Sequence, residues 1–226
     1  MRLGKRYGLH LMHFFFLYFL IINFVIFLQG CGTPDLTQPD IQKKAHSEAI
    51  PLESLERKRM YEMIMLFVDS DDEPYTGWVK SETNGTLAKL GYLKKGQRQG
   101  MWMQWFPNGM KQSEIEWDND RMSGSFHTWH PNGKIRVVGQ TKDGEVDGTW
   151  KEYYANGQLE AHSQNKMGTL VKINVMRSNG EQCKNSKVEN GNGTFTDYDT
   201  DGTPIRSRTF KNGVEEKTTW FNRQTP

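Results

Sequence analysis

Two histidines three residues apart, His127 and His130 in the stretch HTWH, are the first residues of this chain whose types and spacing suggest chemistry. On a helix such a pair could grip one metal ion. On a strand, residues three apart point to opposite faces and cannot share it. His46 and His162 are isolated. The run DYDTDG, Asp197 to Gly202, begins like a calcium loop, but its twelfth position is Arg208 where a bidentate glutamate is required, and Pro204 stands where an aliphatic residue is usual. Asp201-Gly202 reads better as a turn. The acidic stretch from Asp69 to Glu73 reads as a solvated loop. Of the two cysteines, Cys183 has neither a histidine nor a basic cluster beside it to favour a thiolate, and reads as a small, semi-buried strand residue. The sequence holds no G-x-S-x-G elbow, no Walker loop and no paired cysteine set, so no catalytic residue, metal or cofactor is expected.

The second cysteine, Cys31, stands in a different context. Arg2, Lys5 and Arg6 precede a strongly apolar run from Phe14 to Leu28, which reads as an export signal. A membrane span needs about 20 such residues. The stretch LQGCG that ends the run resembles the lipobox of bacterial lipoproteins, in which cleavage falls before the cysteine. The resemblance implies that Cys31 becomes the mature N-terminus and carries lipid on its sulfur, anchoring the rest to the extracytoplasmic side of a membrane. Gly32 after it resembles lipoproteins sent on to an outer membrane, where the organism has one. The expected organisation is then a signal peptide over residues 1–30 and a lipid-anchored disordered linker over 31–48. An N-terminal cap with a short helix and a first strand follows over 49–74, and a repeat region over 75–226.

Charge narrows the partners. The 226 residues carry a formal charge of +2. Residues 1–30 hold three positive charges and no negative ones, so cleavage there brings the rest to −1. Phosphate backbones need a surplus of clustered Lys and Arg, so nucleic acid is not an expected partner.

The elements that position these residues follow from punctuation. The stretch after Cys31, with two prolines and no evident apolar periodicity, reads as flexible chain. Pro51 could open a short helix through Leu52 and Leu55, and Met60–Val68 reads as a strand. Beyond them, Asn-Gly or Asp-Gly pairs recur at Asn84, Asn108, Asn132, Asn156, Asn179 and Asp201. Between these lie further turn signals at Lys95-Gly96, Asn119-Asp120, Asp143-Gly144 and Asn212-Gly213. Asn-Gly favours type I′ hairpin turns, which require positive φ at both central residues. The intervening segments are rich in aromatic and β-branched residues and of strand length. Two strands and two turns in every 24 residues or so are too few for a propeller blade. The pattern predicts an all-β fold, an elongated antiparallel meander of repeated hairpins forming a β-ribbon or solenoid.

Within each unit the order is Gly, an aromatic two residues on, another aromatic three further, then Asn-Gly, as in GMWMQWFPNG, GSFHTWHPNG and GTWKEYYANG. These units, with EPYTGWV before them, resemble the MORN repeat in its bacterial variant form, found in YwqK-type antitoxin proteins. The likeness runs from about Tyr75 to Phe221 and weakens between Gly168 and Gly180. It implies a binding scaffold without catalytic residues, used in some members as an antitoxin against a toxin and in others as a membrane-associated interaction module. Strand alternation predicts two aromatic columns. Trp102, Phe126, Trp150 and Phe195 form one; Trp105, Trp129, Tyr153 and Tyr198 form the other. One is expected to be core, because a lone hairpin cannot bury such a face. The second, Trp105 with Trp129, Tyr153 and Tyr198, is the candidate site for a protein partner, with a structural role in the cell envelope through glycan contact on the aromatic stripe as a further alternative.

Overall fold

The computed structural model describes residues 33–60, 63–68, 73–199 and 201–221. Cys31 and the signal peptide therefore lie outside the described residues, as does most of the acidic stretch from Asp69. By its contacts the chain divides into residues 1–34 and 35–226, and all that follows belongs to the second unit.

From Lys95 onward two kinds of turn alternate, and together they generate the sheet; Asn84-Gly85, before them, is of the first kind, as its sequence predicts. In the first kind both central residues are left-handed, as at Lys95-Gly96 (φ 51° and 77°) and Asp143-Gly144 (52° and 92°), which a type I′ turn demands. Asn119-Asp120 and Met167-Gly168 do the same, the latter without any asparagine or aspartate to announce it. The second kind corrects the expectation for Asn108, Asn132 and Asn156. Here only the following glycine is left-handed. Gly109 N–H donates to the Phe106 carbonyl at 2.8 Å, and Phe106 N–H donates to the Met110 carbonyl at 2.8 Å. The asparagine is chosen for its side chain. Asn108 Oδ1 accepts the Met110 N–H (3.0 Å), and its Nδ2 donates to the Pro131 carbonyl one unit on (3.1 Å). Asn132 repeats both contacts with Lys134 and Ala155, and Asn156 with Gln158 and Ser178. Each such bond contributes about 1 kcal/mol net.

The first kind of turn builds a ladder along the other edge. The N–H of its second residue donates to a carbonyl in the preceding unit: Gly96 to Tyr75 (2.7 Å), Gly144 to Met122 (2.8 Å) and Gly168 to Val146 (2.9 Å). Successive hairpins are thus joined at both ends as well as along their strands.

The strands are β1 (Ile50–Pro51), β2 (Leu55–Met60), β3 (Met63–Val68), β4 (Gly77–Thr83), β5 (Thr86–Lys94), β6 (Gln97–Trp105), β7 (Lys111–Asp118), β8 (Arg121–Trp129), β9 (Ile135–Lys142), β10 (Glu145–Val146), β11 (Gly148–Tyr153), β12 (Leu159–Lys166), β13 (Thr169–Met176), β14 (Gln182–Glu189), β15 (Asn192–Tyr198), β16 (Pro204–Lys211) and β17 (Val214–Trp220). From β4 to β17 they make one open antiparallel sheet in chain order, with β10 paired only to β9. The fold is all-β, a meander of repeated hairpins. β1 caps the first edge in parallel with β4, and β2 and β3 form a separate hairpin. The odd spacing from Gly168 to Asn179 has a simple cause: Gly168 is the second residue of the Met167-Gly168 turn, the place that Gly96 and Gly144 hold, and is not the counterpart of Gly100, Gly124 and Gly148. The register of β13 and β14 does shift, between Asn174 and Met176, with the extra residues on β14.

Directly opposed residues of a ladder share a face. Trp102 opposes Ile115, Ile115 opposes Phe126, and Phe126 opposes Gly139. Trp150 lies over Gly139 and opposes Ser163, which opposes Ile173. This row is the apolar spine of one face. At its start Trp102, Val79 and Leu93 are buried with Leu55, and at its far end Ile173, Val188 and Phe195 form a second core.

The opposite face is covered at its start by a helix, α1 (Pro39–Glu48), which overturns the expected disordered linker. Leu36 and Ala45, both wholly buried, pack on Trp78, Leu90 and Met103. Burying each large apolar side chain there contributes about 1.5–3 kcal/mol. Pro39 does not break this helix, because at the first helical positions its missing N–H is needed by no partner. The expected helix at Pro51 is corrected too: it is a single 3₁₀ turn, Leu52–Ser54, after which LERKRM runs as strand β2.

Candidate functional site

Strand alternation, followed pair by pair, locates the second aromatic column. Met103, on the helix side, opposes Glu114, and Glu114 opposes His127, so His127 also faces the helix side. Trp129, two residues on, stands 6.2 Å from its ring. His127 opposes Val138, and Val138 opposes Lys151, which puts Tyr153 on the same face. Trp105, Trp129 and Tyr153 therefore share the helix-side face, away from Trp102, Phe126 and Trp150.

Their surroundings differ. Trp105 packs against the cluster that α1 covers and belongs in part to that core. Tyr198 departs from the column: it packs against the cluster of Phe195, with the Arg177 guanidinium 5.6 Å over its ring. Trp129 and Tyr153, both half-buried, lie beyond the helix. Trp129 opposes Ile135, which is 41% exposed, and Tyr153 opposes Leu159. The Lys111 ammonium sits 5.3 Å over the Trp129 ring while pairing with Glu114. What this patch offers is flat apolar area edged by charge, which suits contact with another surface.

The bland alternatives for other residues are resolved by their partners. His130 Nε2 lies 2.7 Å from the Tyr153 carbonyl, and since a carbonyl only accepts, that nitrogen donates. Tyr154, one unit on, spans in the same way: its hydroxyl donates to the Met176 carbonyl at 3.0 Å, and burial pushes its phenol pKa up. Asp197 is held by Arg206 at 2.5 Å and by Arg208 at 3.2 Å. Asp199 Oδ1 accepts the N–H groups of Asp201 and Thr203, so it shapes a turn. Cys183 is buried in the core of Phe195. Among the described residues no group of three or more His, Cys, Asp or Glu could hold a metal ion.

Sequence reasoning missed one feature that recurs with the repeat. Next to each second-kind turn one residue is left over in the register: Gln112 between Ser113 and Lys111, Arg136 between Val137 and Ile135, Glu160 between Ala161 and Leu159. Such bulges re-aim a side chain. Glu160 has its carboxyl pKa pushed up to about 7 by burial first and then by the charges of Glu152 and Asp197, with Arg136 opposing. The 24-residue spacing of these positions was visible, but an unpaired residue leaves no mark in composition.

Comparison with known proteins adds one positive finding. No curated protein matches the sequence. Among solved structures, ASR alternansucrase in complex with isomaltononaose aligns with 75% of this chain and 16% of its own, at 12% identity and a TM-score of 0.17. That score is too low to indicate a shared fold. Among the described residues no helix is long and apolar enough to cross a membrane. The family model described as the MORN repeat variant matches residues 146–164, from the end of β10 through β11 into β12. This stretch of the sheet is a MORN repeat variant.

Proposed function

We propose that the chain is a membrane-anchored, non-enzymatic protein that holds a protein partner on the helix-side face of its repeats. The carrying observation is that the apolar row on this face outruns its cover: α1 closes over Trp78, Leu90 and Met103, while Trp129, Ile135, Tyr153 and Leu159 continue beyond it. A MORN repeat variant at 146–164 fits a repeat protein that binds proteins or membranes. Lipid on Cys31 supplies the membrane tether in this reading, and a toxin is the narrower partner that the family resemblance suggests.

One experiment tests the parts together. After cross-linking in the native cell, the wild-type chain is expected in the membrane fraction, joined to one partner identified by mass spectrometry. Trp129→Ala with Tyr153→Ala should stay in the membrane fraction, lose that cross-link by about tenfold or more, and melt within a few degrees of wild type. Cys31→Ser should leave the membrane fraction. An unchanged cross-link in the double variant overturns the face assignment, and an unchanged distribution of Cys31→Ser overturns the anchor.

A further inference from the structure

The face opposite the helix carries a second, chemically different surface. Lys89 opposes Gln104, Gln104 opposes Ser113, and Ser113 opposes Thr128, which gives a polar row beside the Trp102–Ile115–Phe126 spine. Two cavities of about 520 and 590 Å³ open over it and share Gln104, Ser113 and Ile115, so they form one trough. Cations dominate its walls: Arg57, Lys89, Arg98, Arg121 and Arg136 against one carboxylate, Asp120. That carboxylate is already engaged by Arg98 Nε at 2.7 Å. Among the described residues Arg57, Lys89 and Arg121 make no ion pair, and all three are exposed. On the floor, Thr128 Oγ1 is buried without a hydrogen-bond partner.

We propose that this trough binds an acidic peptide segment of a protein partner. A cleft lined by one sign of charge concentrates ligands of the other sign. Guanidinium groups meet carboxylates through paired, charge-assisted hydrogen bonds, and the hydroxyl and amide floor serves a peptide backbone. The rings speak against a sugar or a nucleobase, each of which needs an open aromatic face. Trp102 is only 7% exposed, Phe126 is covered by Trp150 at 4.8 Å between centroids, Arg98 lies 3.5 Å over Trp117, and Trp129, at the rim of the second cavity, has the Lys111 ammonium 5.3 Å over its ring. Trp129 borders the second cavity and Tyr153 borders neither, while Arg57, Lys89 and Arg121 line the first cavity away from both rings, so the site is tested separately from the reading above.

The test titrates a short fluorescein-labelled glutamate–serine peptide into the full chain in detergent micelles, followed by anisotropy. Saturable binding that weakens with added salt is expected. The variant Arg57→Glu/Lys89→Glu/Arg121→Glu should weaken it by at least about tenfold at an unchanged melting temperature. Arg121→Glu alone gives the same direction on a smaller scale if the triple variant melts early. Tyr153→Ala alone, at a ring outside the trough, should bind the peptide as wild type does. No saturable binding, an equal Kd in the charge-reversed variants, or binding of a sulfated oligosaccharide in place of the peptide overturns the proposal.

Discussion

At the scale of single residues, the glycines of the strands and those of the turns are chosen for different reasons. Gly139 sits in a strand, where a Cβ would stand 2.0 Å from Cε3 of Trp150, and Gly91 is covered by Trp102 in the same way at 2.1 Å. The indole needs the empty place. Gly139→Ala is therefore expected to cost about 1–3 kcal/mol, an overpacking penalty, and to lower the melting temperature by several degrees. Thermal denaturation followed by circular dichroism checks this, and an unchanged midpoint would mean the ring moves freely. Glu160 gives a pH-dependent counterpart. Its folded pKa of about 7 exceeds the ordinary 4.5, so the native state holds the proton more tightly. That contribution is fully present below about 4.5 and is lost as pH rises through about 7. Glu160→Gln, permanently neutral, should melt above wild type at roughly pH 8 and level with it at roughly pH 4, below the unfolded pKa, where the carboxyl is protonated in both states. A gap of equal size at both values would place the effect elsewhere.

At the scale of elements, α1 shows where sequence reading fails. Pro34 and Pro39 looked like breaks, and the apolar positions Ile41, Ala45 and Ala49 are too few and too small to advertise a helix. Their spacing is nonetheless four residues, and the sheet beneath, with Trp78, Leu90 and Met103, supplies the apolar surface that they lack. Tertiary packing makes this helix. Ala45→Asp, which buries an unpaired carboxylate against that cluster, should destabilise by roughly 3 kcal/mol or more. Lys44→Ala on the exposed side should change little, and comparable melting temperatures for the two variants would detach α1 from the core. The strand β2 failed for the reverse reason. Its charged sequence, LERKRM, looks like a surface helix, yet it is held by pairing with MIMLFV, register for register from Leu55 to Met60.

At the scale of the whole molecule, the meander was legible because its signals are local: each hairpin announces its own turn, and the next strand in sequence is the next in space. The trough was not legible, because its cations come from five strands and the sum over the chain is close to neutral. Only register brings Lys89 of β5 and Arg121 of β8 to one wall. The turn ladders carry a last implication. Since Asn108 and Asn132 both reach 23 residues on, and Gly144 and Gly168 both reach 22 residues back, a block of one period from this stretch can be copied in tandem or excised with its joints left chemically alike. Copy number, rather than redesign of any surface, is the natural way for such a chain to change its span.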